Sequence, residues 1–176
     1  MESSSALSKG VLLVVDDDPK WASHLSRSLA PIADAVLVAA NAFEAVALAK
    51  EREIHAVLTD LFMAGGDGIQ LIHELRLAGN HVPVVVLTGA AGKENVLTAL
   101  KLGAVDYFEK PCDMARLERV MTEMLKLGLL TREAERELGE SQKAMSIEPE
   151  RSAAHKKAML KIEILRKARE TKKQGA

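Results

Sequence analysis

Three consecutive aspartates, Asp16, Asp17 and Asp18, stand directly after the apolar run VLLVV at residues 11–15. Neighbouring carboxylates repel one another and hold water strongly, so a fold gains no stability by gathering them at the end of a buried run. A bound cation would balance their charge. Mg²⁺ typically takes one or two protein carboxylates and keeps several waters. The cluster therefore predicts that Asp16 and Asp17 hold Mg²⁺, or Mn²⁺, which prefers similar ligands.

Other reactive side chains follow further apolar runs. Asp60 follows HAVLT, Thr88 follows VPVVVL, and Lys110 comes shortly after VDYF. With a metal in place, the Asp60 carboxylate could attack a phosphorus atom and form an aspartyl phosphate. The Thr88 hydroxyl and the Lys110 ammonium would then bind the phosphoryl oxygens and stabilise the developing charge.

These side chains can meet only if the apolar runs are strands of one sheet. The runs are continuous rather than alternating, as expected of strands buried on both faces, and segments of helical period separate them. This alternation favours an α/β fold with a parallel sheet, which binds ligands beyond the carboxyl ends of its strands. The second run is followed by no reactive side chain, which predicts an edge strand. The runs are 11–15, 35–40, 55–59, 82–87 and 105–108, and the helical segments are 19–29, 42–51, 67–77, 95–102 and 113–127.

Four segments carry a family resemblance. VLLVVDDDP, AVLTDLFMAGGDG, VVVLTGAAG and VDYFEKP occur in this order. Together they resemble the signatures of the receiver domain of bacterial two-component response regulators, the CheY-like fold, over residues 10–127. The resemblance implies a five-stranded parallel, doubly wound sheet of order 2-1-3-4-5. The chain departs from the family pattern at Ala64, where proline is usual, and this predicts a more flexible loop after Asp60.

Carried over to this chain, the resemblance implies that Asp60 accepts a phosphoryl group from a sensor histidine kinase or a phosphotransfer protein. Asp17 would bind Mg²⁺ directly and Asp16 mainly through water, with Asp60 as a further ligand. The site would be completed by the backbone carbonyl of Phe62 as a metal ligand, by Thr88 and Lys110 as phosphoryl-binding residues, and by Tyr107 as the aromatic switch residue. Phosphorylation would reshape the face made by the fourth helix, fifth strand and fifth helix, which a downstream protein or a second copy would read.

The chain has 176 residues and a formal net charge of −1, which gives no overall attraction to nucleic acid or to anionic lipid. It has a single cysteine, Cys112, and its histidines lack zinc-ligand spacing. No secretion signal or membrane-length apolar run occurs, so we expect a cytoplasmic protein that does not contact membranes. We expect a disordered N-terminus at 1–9, a receiver domain at 10–127 and a helical, basic extension at 128–176.

The extension leaves several alternatives open. Residues 151–176 contain nine Lys or Arg and two Glu. The segment could be a solvated helix, a dimerisation arm, a docking surface for a partner, or a basic element that touches nucleic acid, and Thr131 could cap its first helix.

Three other functions compete with the switch. An aspartate-nucleophile phosphohydrolase typically needs a second aspartate two residues after the nucleophile, where this chain has Phe62. A flavin-binding module would not place the anions Asp16 and Asp17 where the flavin phosphate binds. A receiver that works only as a scaffold is disfavoured because every chemical position is filled. We therefore expect no substrate turnover, only self-phosphorylation and slow self-dephosphorylation.

Overall fold

The computed structural model describes residues 8–64, 66–89, 93–145 and 160–164. Five parallel strands form one sheet in the order β2-β1-β3-β4-β5, which confirms the predicted order. The strands are β1 Val11–Val15, β2 Ala35–Ala39, β3 Ala56–Thr59, β4 Val84–Thr88 and β5 Asp106–Glu109. The helices are α1 Pro19–Leu29, α2 Ala42–Glu51, α3 Gly68–Leu77, α4 Lys93–Leu102 and α5 Met114–Met145, with a 3-10 turn at Ala30–Ile32.

Helices cover both faces of the sheet, so its central strands are apolar on both sides. β3 and β4 are buried at every position, and β1 at all but its first residue. β2 lies at the edge, as predicted, and its first four residues are partly or fully exposed. Alternate residues of β1 belong to two separate cores: Leu13 packs with α2, α3 and α4, whereas Leu12 packs with α1 and α5.

Side-chain caps begin the helices that follow the first three strands. Asp18 accepts hydrogen bonds from the backbone N–H groups of Lys20 and Trp21 at the start of α1. Asn41 accepts from the Glu44 N–H at the start of α2, and Asp67 caps α3 in the same way. Each cap satisfies a backbone donor that has no partner within its own helix. Asp18 is therefore used locally, which leaves Asp16 and Asp17 for the sheet edge.

The fifth helix is longer than predicted. It continues without interruption through residue 127 to Met145. Thr131 does not cap a new helix, because it lies inside α5, where its hydroxyl donates to the carbonyl oxygen of Leu127 at 2.8 Å. The sequence suggested a helix start here because threonine is a common cap, but an interior threonine can instead bond one turn back. A domain boundary after residue 127 stays a prediction.

The C-terminal part of α5 packs against the amino-terminal edge of the sheet. Gly128 makes this possible, since a methyl group at its position would overlap the carbonyl oxygen of His55. Arg132 Nη2 donates to Asn80 Oδ1 at 3.1 Å, and Arg136 lies 3.6 Å from Glu53. Residues 128–136 are therefore docked on the sheet rather than held away from it.

The ends of the chain are only partly described. Ser8 and Lys9 bond to Asp34 near the start of β1, and residues 1–7 of the predicted disordered segment lie outside the described residues. Most of the basic segment 151–176 also lies outside them. Residues 160–164 are helical, and Lys161 pairs with Glu133 and Glu137 of α5 at 3.6 and 3.4 Å. None of the described helices has the length and apolar character needed to cross a bilayer.

Candidate functional site

The predicted reactive residues meet at the carboxyl edge of the sheet. Ladder hydrogen bonds hold the strand ends together: Asp60 N–H donates to Val15 at 2.9 Å, and Lys110 N–H donates to Thr88 at 2.9 Å. Asp16, Asp60, Thr88 and Lys110 thus end or follow the four adjacent strands β1, β3, β4 and β5. The sequence placed Thr88 directly after the fourth strand, whereas the structure includes it as the last residue of β4.

Lys110 joins two carboxylates at the centre of the site. Its Nζ lies 2.6 Å from Asp16 Oδ2 and 2.7 Å from Asp60 Oδ2. The Asp16 side chain is 3% exposed and that of Asp60 is 11% exposed, so water screens these charges poorly. Burial lowers the pKa of Lys110, but the hydrogen bonds and charges of Asp16 and Asp60 outweigh burial, so that the net pKa is raised above its ordinary value.

The charge of this cluster favours a further cation. Asp16, Asp17 and Asp60 carry three negative charges against one positive charge on Lys110, which leaves two in excess. In the described residues, no group of three or more His, Cys, Asp or Glu side chains is placed so that it could hold a metal ion. Mg²⁺ needs fewer protein ligands than that, because it commonly keeps several waters. These oxygen donors and the excess charge fit Mg²⁺, and binding by Asp16, Asp17 and Asp60 stays a prediction.

The loop after Asp60 is tied to the same cluster. Phe62 N–H donates to Asp60 Oδ1 at 3.1 Å, and Ala64 N–H donates to Asp17 Oδ2 at 2.8 Å. The second bond gives the departure at Ala64 a structural consequence, since proline has no N–H and could not make it. The Phe62 side chain is 48% exposed beside the site. Its backbone carbonyl stays a predicted metal ligand.

Two predicted switch residues are in contrasting environments. Thr88 is 1% exposed, and its hydroxyl has no hydrogen-bond partner within the described residues. Buried hydroxyls are usually bonded, so an unpaired one beside a charged cluster marks a place where an oxygen ligand would be stabilised. Tyr107 on β5 is 40% exposed and therefore lies at the surface.

Sequence reasoning missed two residues that shape the site. Gly68, the first residue of α3, packs directly on Asp60, because a methyl group there would overlap the Asp60 carbonyl oxygen. Trp21 in the first turn of α1 places its ring centroid 5.4 Å from Lys110 Nζ. The position of Gly68 directly after the capping residue Asp67 could have indicated its role. In contrast, no residue near Trp21 in the sequence indicates a contact with Lys110.

Comparison with known proteins finds a matching family. Residues 12–122 match the family model described as the response regulator receiver domain. The transcriptional regulatory protein ZraR of Klebsiella oxytoca is 33% identical over 114 residues, which cover 65% of this chain and 26% of ZraR. The acid tolerance regulatory protein ActR of Rhizobium meliloti is 35% identical over 102 residues, which cover 58% of this chain and 53% of ActR. The chain thus spans only about a quarter to a half of these relatives.

Solved structures show the same fold. The receiver domain of NtrX from Brucella abortus matches with a TM-score of 0.61 at 29% identity, covering 65% of this chain and 98% of that one. A CheY-like receiver domain protein from Methanospirillum hungatei matches with a TM-score of 0.64 at 25% identity, covering 68% of this chain and 95% of that one.

Proposed function

We propose that this chain, which belongs to the response regulator receiver domain family, acts as a phosphorylation-dependent switch in two-component signalling and accepts the phosphoryl group on Asp60. The observation that carries the proposal is the contact of Lys110 Nζ with Asp16 and Asp60 at 2.6 and 2.7 Å, beside the unpaired hydroxyl of Thr88. A nucleophilic carboxylate, a cation and a free hydroxyl are the groups that phosphoryl transfer to aspartate requires.

The transfer would form one bond and break one. An oxygen of the ionised Asp60 carboxylate supplies the electron pair for the new O–P bond, and the bond between phosphorus and the donor group breaks, with its electron pair leaving on the donor. The donor group is the phosphohistidine of a sensor histidine kinase or of a phosphotransfer protein. The Lys110 ammonium would then bind a phosphoryl oxygen instead of the Asp60 carboxylate oxygen. The Thr88 hydroxyl would donate a hydrogen bond to another phosphoryl oxygen.

Mg²⁺ would be held by Asp16, Asp17, Asp60 and the Phe62 carbonyl, where it would neutralise charge on the phosphoryl oxygens. Asp16 has a second task, because its Oδ1 accepts the N–H of Asp18 at 3.0 Å while its Oδ2 binds Lys110. This pairing fixes the carboxylate in one orientation between the strand end and the lysine.

The signal would leave the site through β4 and β5. The hydrogen bond from Lys110 N–H to the Thr88 carbonyl links the ends of these two strands. Thr88 and Lys110 would therefore respond together to a phosphoryl group on Asp60. Movement of Thr88 toward that group would open space for Tyr107, which is 40% exposed here, to turn inward. The face of α4, β5 and α5, together with residues 128–145 of α5 (the α5 extension), would then present a new shape to a downstream protein or to a second copy of the chain.

The proposal is limited to the switch. ZraR and ActR are transcriptional regulators by name, and this chain spans only part of their length, so DNA binding is not carried over. Contact with nucleic acid would rest on the basic segment 151–176, whose charge is its only support. The proposal includes a cytoplasmic location, where a histidine kinase would meet the chain. Hydrolysis of free phosphoesters is not proposed, because Phe62 offers no carboxylate for proton transfer.

The test is intact-mass spectrometry after incubation with acetyl phosphate, with Mg²⁺ and with EDTA. We expect a single phosphoryl adduct on the native chain in Mg²⁺, no adduct on Asp60→Asn, and at least tenfold slower formation on Thr88→Ala. Asp18→Asn is the matched control, because Asp18 lies next to the cluster but caps α1, and asparagine is also a good cap. It should form the adduct at the native rate.

Two results would contradict the proposal. An adduct that persists on Asp60→Asn would place the phosphoryl group elsewhere. A native chain that is folded and binds Mg²⁺ yet forms no adduct with acetyl phosphate or with a phosphorylated histidine kinase would leave the receiver working as a scaffold.

A further inference from the structure

Trp21 is the one tryptophan of the chain and lies beside the lysine of the site. Its ring centroid is 5.4 Å from Lys110 Nζ, within the range in which an aromatic face attracts a cation. The first turn of α1 holds the residue in place, because its backbone N–H donates to the capping Asp18 at 3.3 Å. Its side chain is half-buried and packs against the core between the sheet, α1 and α5, where Cys112 also lies.

The indole N–H does not explain the position of the ring. Nε1 is buried and has no hydrogen-bond partner within the described residues. A buried tryptophan usually pairs this group, and leaving it unpaired opposes burial. Three contacts remain to orient the ring: apolar packing, the ring of His24 with its centroid 5.4 Å away, and the ammonium group of Lys110.

The three groups around the Lys110 ammonium respond differently to phosphorylation. Asp60 changes, because one of its oxygens becomes the bridging oxygen of an acyl phosphate and new anionic oxygens appear beyond it. Asp16 keeps its charge, and it would share that charge with a bound metal. Trp21 is neutral in both states and does not compete for the phosphoryl oxygens, so its ring can stay beside the ammonium while the anions that the ammonium binds change.

We propose that Trp21 is a positioning residue for Lys110, and that its indole environment changes when Asp60 is phosphorylated. The inference rests on the proposed function, and it identifies the residue that orients Lys110 in that site. Lysine has a long, flexible stem with three rotatable donors, so a fixed neighbour restricts the ammonium to positions near Asp60.

The first experiment does not depend on phosphorylation. A double-mutant cycle combines Trp21→Leu, which keeps an apolar side chain but removes the aromatic face, with Lys110→Met, and urea unfolding is followed by circular dichroism in EDTA. A cation held by the ring gives coupling: Trp21→Leu should change the unfolding equilibrium constant about 2- to 5-fold less in the Lys110→Met background than in the native chain. Additive effects would overturn the inference, because apolar packing alone does not depend on the charge of Lys110.

The second experiment measures the phosphorylation rate with acetyl phosphate and Mg²⁺. We expect adduct formation about 2- to 5-fold slower on Trp21→Leu than on the native chain, with Trp21→Phe between them, since phenylalanine keeps a weaker aromatic face. Arg116→Met is the matched control, because it removes the cation from the ring of Phe108, 4.9 Å away and outside the site. It should leave the rate unchanged, and equal rates for native and Trp21→Leu chains would overturn the positioning role.

Trp21 fluorescence separates the two proposals. Its emission should shift when acetyl phosphate and Mg²⁺ are added to the native chain and stay constant in Asp60→Asn, and constant emission in a native chain that carries the adduct would contradict the reporting role. If no adduct forms on the native chain, the proposed function fails, and the coupling between Trp21 and Lys110 still decides whether the ring holds the lysine.

Discussion

Replacing Lys110 by methionine tests whether the lysine neutralises the acidic cluster. Methionine keeps most of the length of the side chain but removes the ammonium that contacts Asp16 and Asp60 at 2.6 and 2.7 Å. The two carboxylates would remain with side chains only 3% and 11% exposed and without a protein cation between them. We therefore expect a less stable protein in the absence of divalent metal.

The magnitude follows from the burial of the cluster. Removal of one partner of a buried ion pair costs about 3–5 kcal/mol, because the remaining charge is uncompensated. The Lys110 side chain is itself 20% exposed, so some water reaches the site, and we expect the lower end, about 3 kcal/mol. For a domain of this length, that loss corresponds to a fall in Tm of roughly 10 °C.

The assay is urea unfolding followed by circular dichroism, in EDTA and again in Mg²⁺. Lys101→Met is the matched control, because Lys101 is an exposed lysine of α4 and such substitutions change stability by less than about 0.5 kcal/mol. Mg²⁺ should restore part of the stability lost by Lys110→Met, because a second cation can take over the neutralising role. If Lys110→Met unfolds at the same urea concentration as Lys101→Met in EDTA, the reasoning about the cluster is refuted.

Two other predictions concern the opposite edge of the sheet. Gly128→Ala should lower the free energy of unfolding by more than about 2 kcal/mol, because its methyl group would overlap the His55 carbonyl and push α5 off the sheet. Gly139→Ala is the control in the same helix, because a methyl group there meets nothing within 4 Å, and it should stabilise the folded chain by up to about 1 kcal/mol. If both variants behave alike in urea unfolding, the docking of α5 on the sheet is contradicted. Burial lowers the pKa of His55 below its ordinary 6.5, against the opposing charge of Glu53, and its Nδ1 accepts the Val11 N–H at 3.0 Å. His55 is therefore protonated more readily in the unfolded chain than in the folded one. Its contribution to stability is complete above pH 6.5 and is lost as the pH falls below that value. His55→Asn should weaken this pH dependence of the free energy of unfolding, measured by urea unfolding between pH 7.5 and 5.5. An unchanged slope of that free energy against pH would contradict the prediction.

The α5 extension changes the view of the C-terminal region. The sequence left a solvated helix, a dimerisation arm, a docking surface and a basic element that touches nucleic acid as alternatives. In the structure, residues 128–136 contact His55, Asn80 and Glu53. A movement of α5 that starts at the proposed phosphorylation site would therefore pass along one continuous helix to the opposite edge of the sheet. Gly128 and Arg132 are the positions at which such a movement could be interrupted.

Much of the fold was predictable because its determinants are local. Apolar runs of β-branched residues, a cap such as Asn41, and alternation of strands with helices are patterns within a few residues of one another. The position of Asp60 and Lys110 at the sheet edge followed from the same patterns, because parallel strands end on one side. The strand order was implied by family resemblance rather than by these patterns.

Tertiary structure alone decided how the site is completed. Lys110 is 94 residues from Asp16 and 50 from Asp60, and only the packed sheet brings its ammonium between them. The contact between Trp21 and Lys110 and that between Gly128 and His55 join residues whose neighbours in sequence give no sign of them. Periodicity and caps specify elements, because they act through the local backbone, whereas these contacts depend on how closely separate elements pack and on which buried groups remain unpaired.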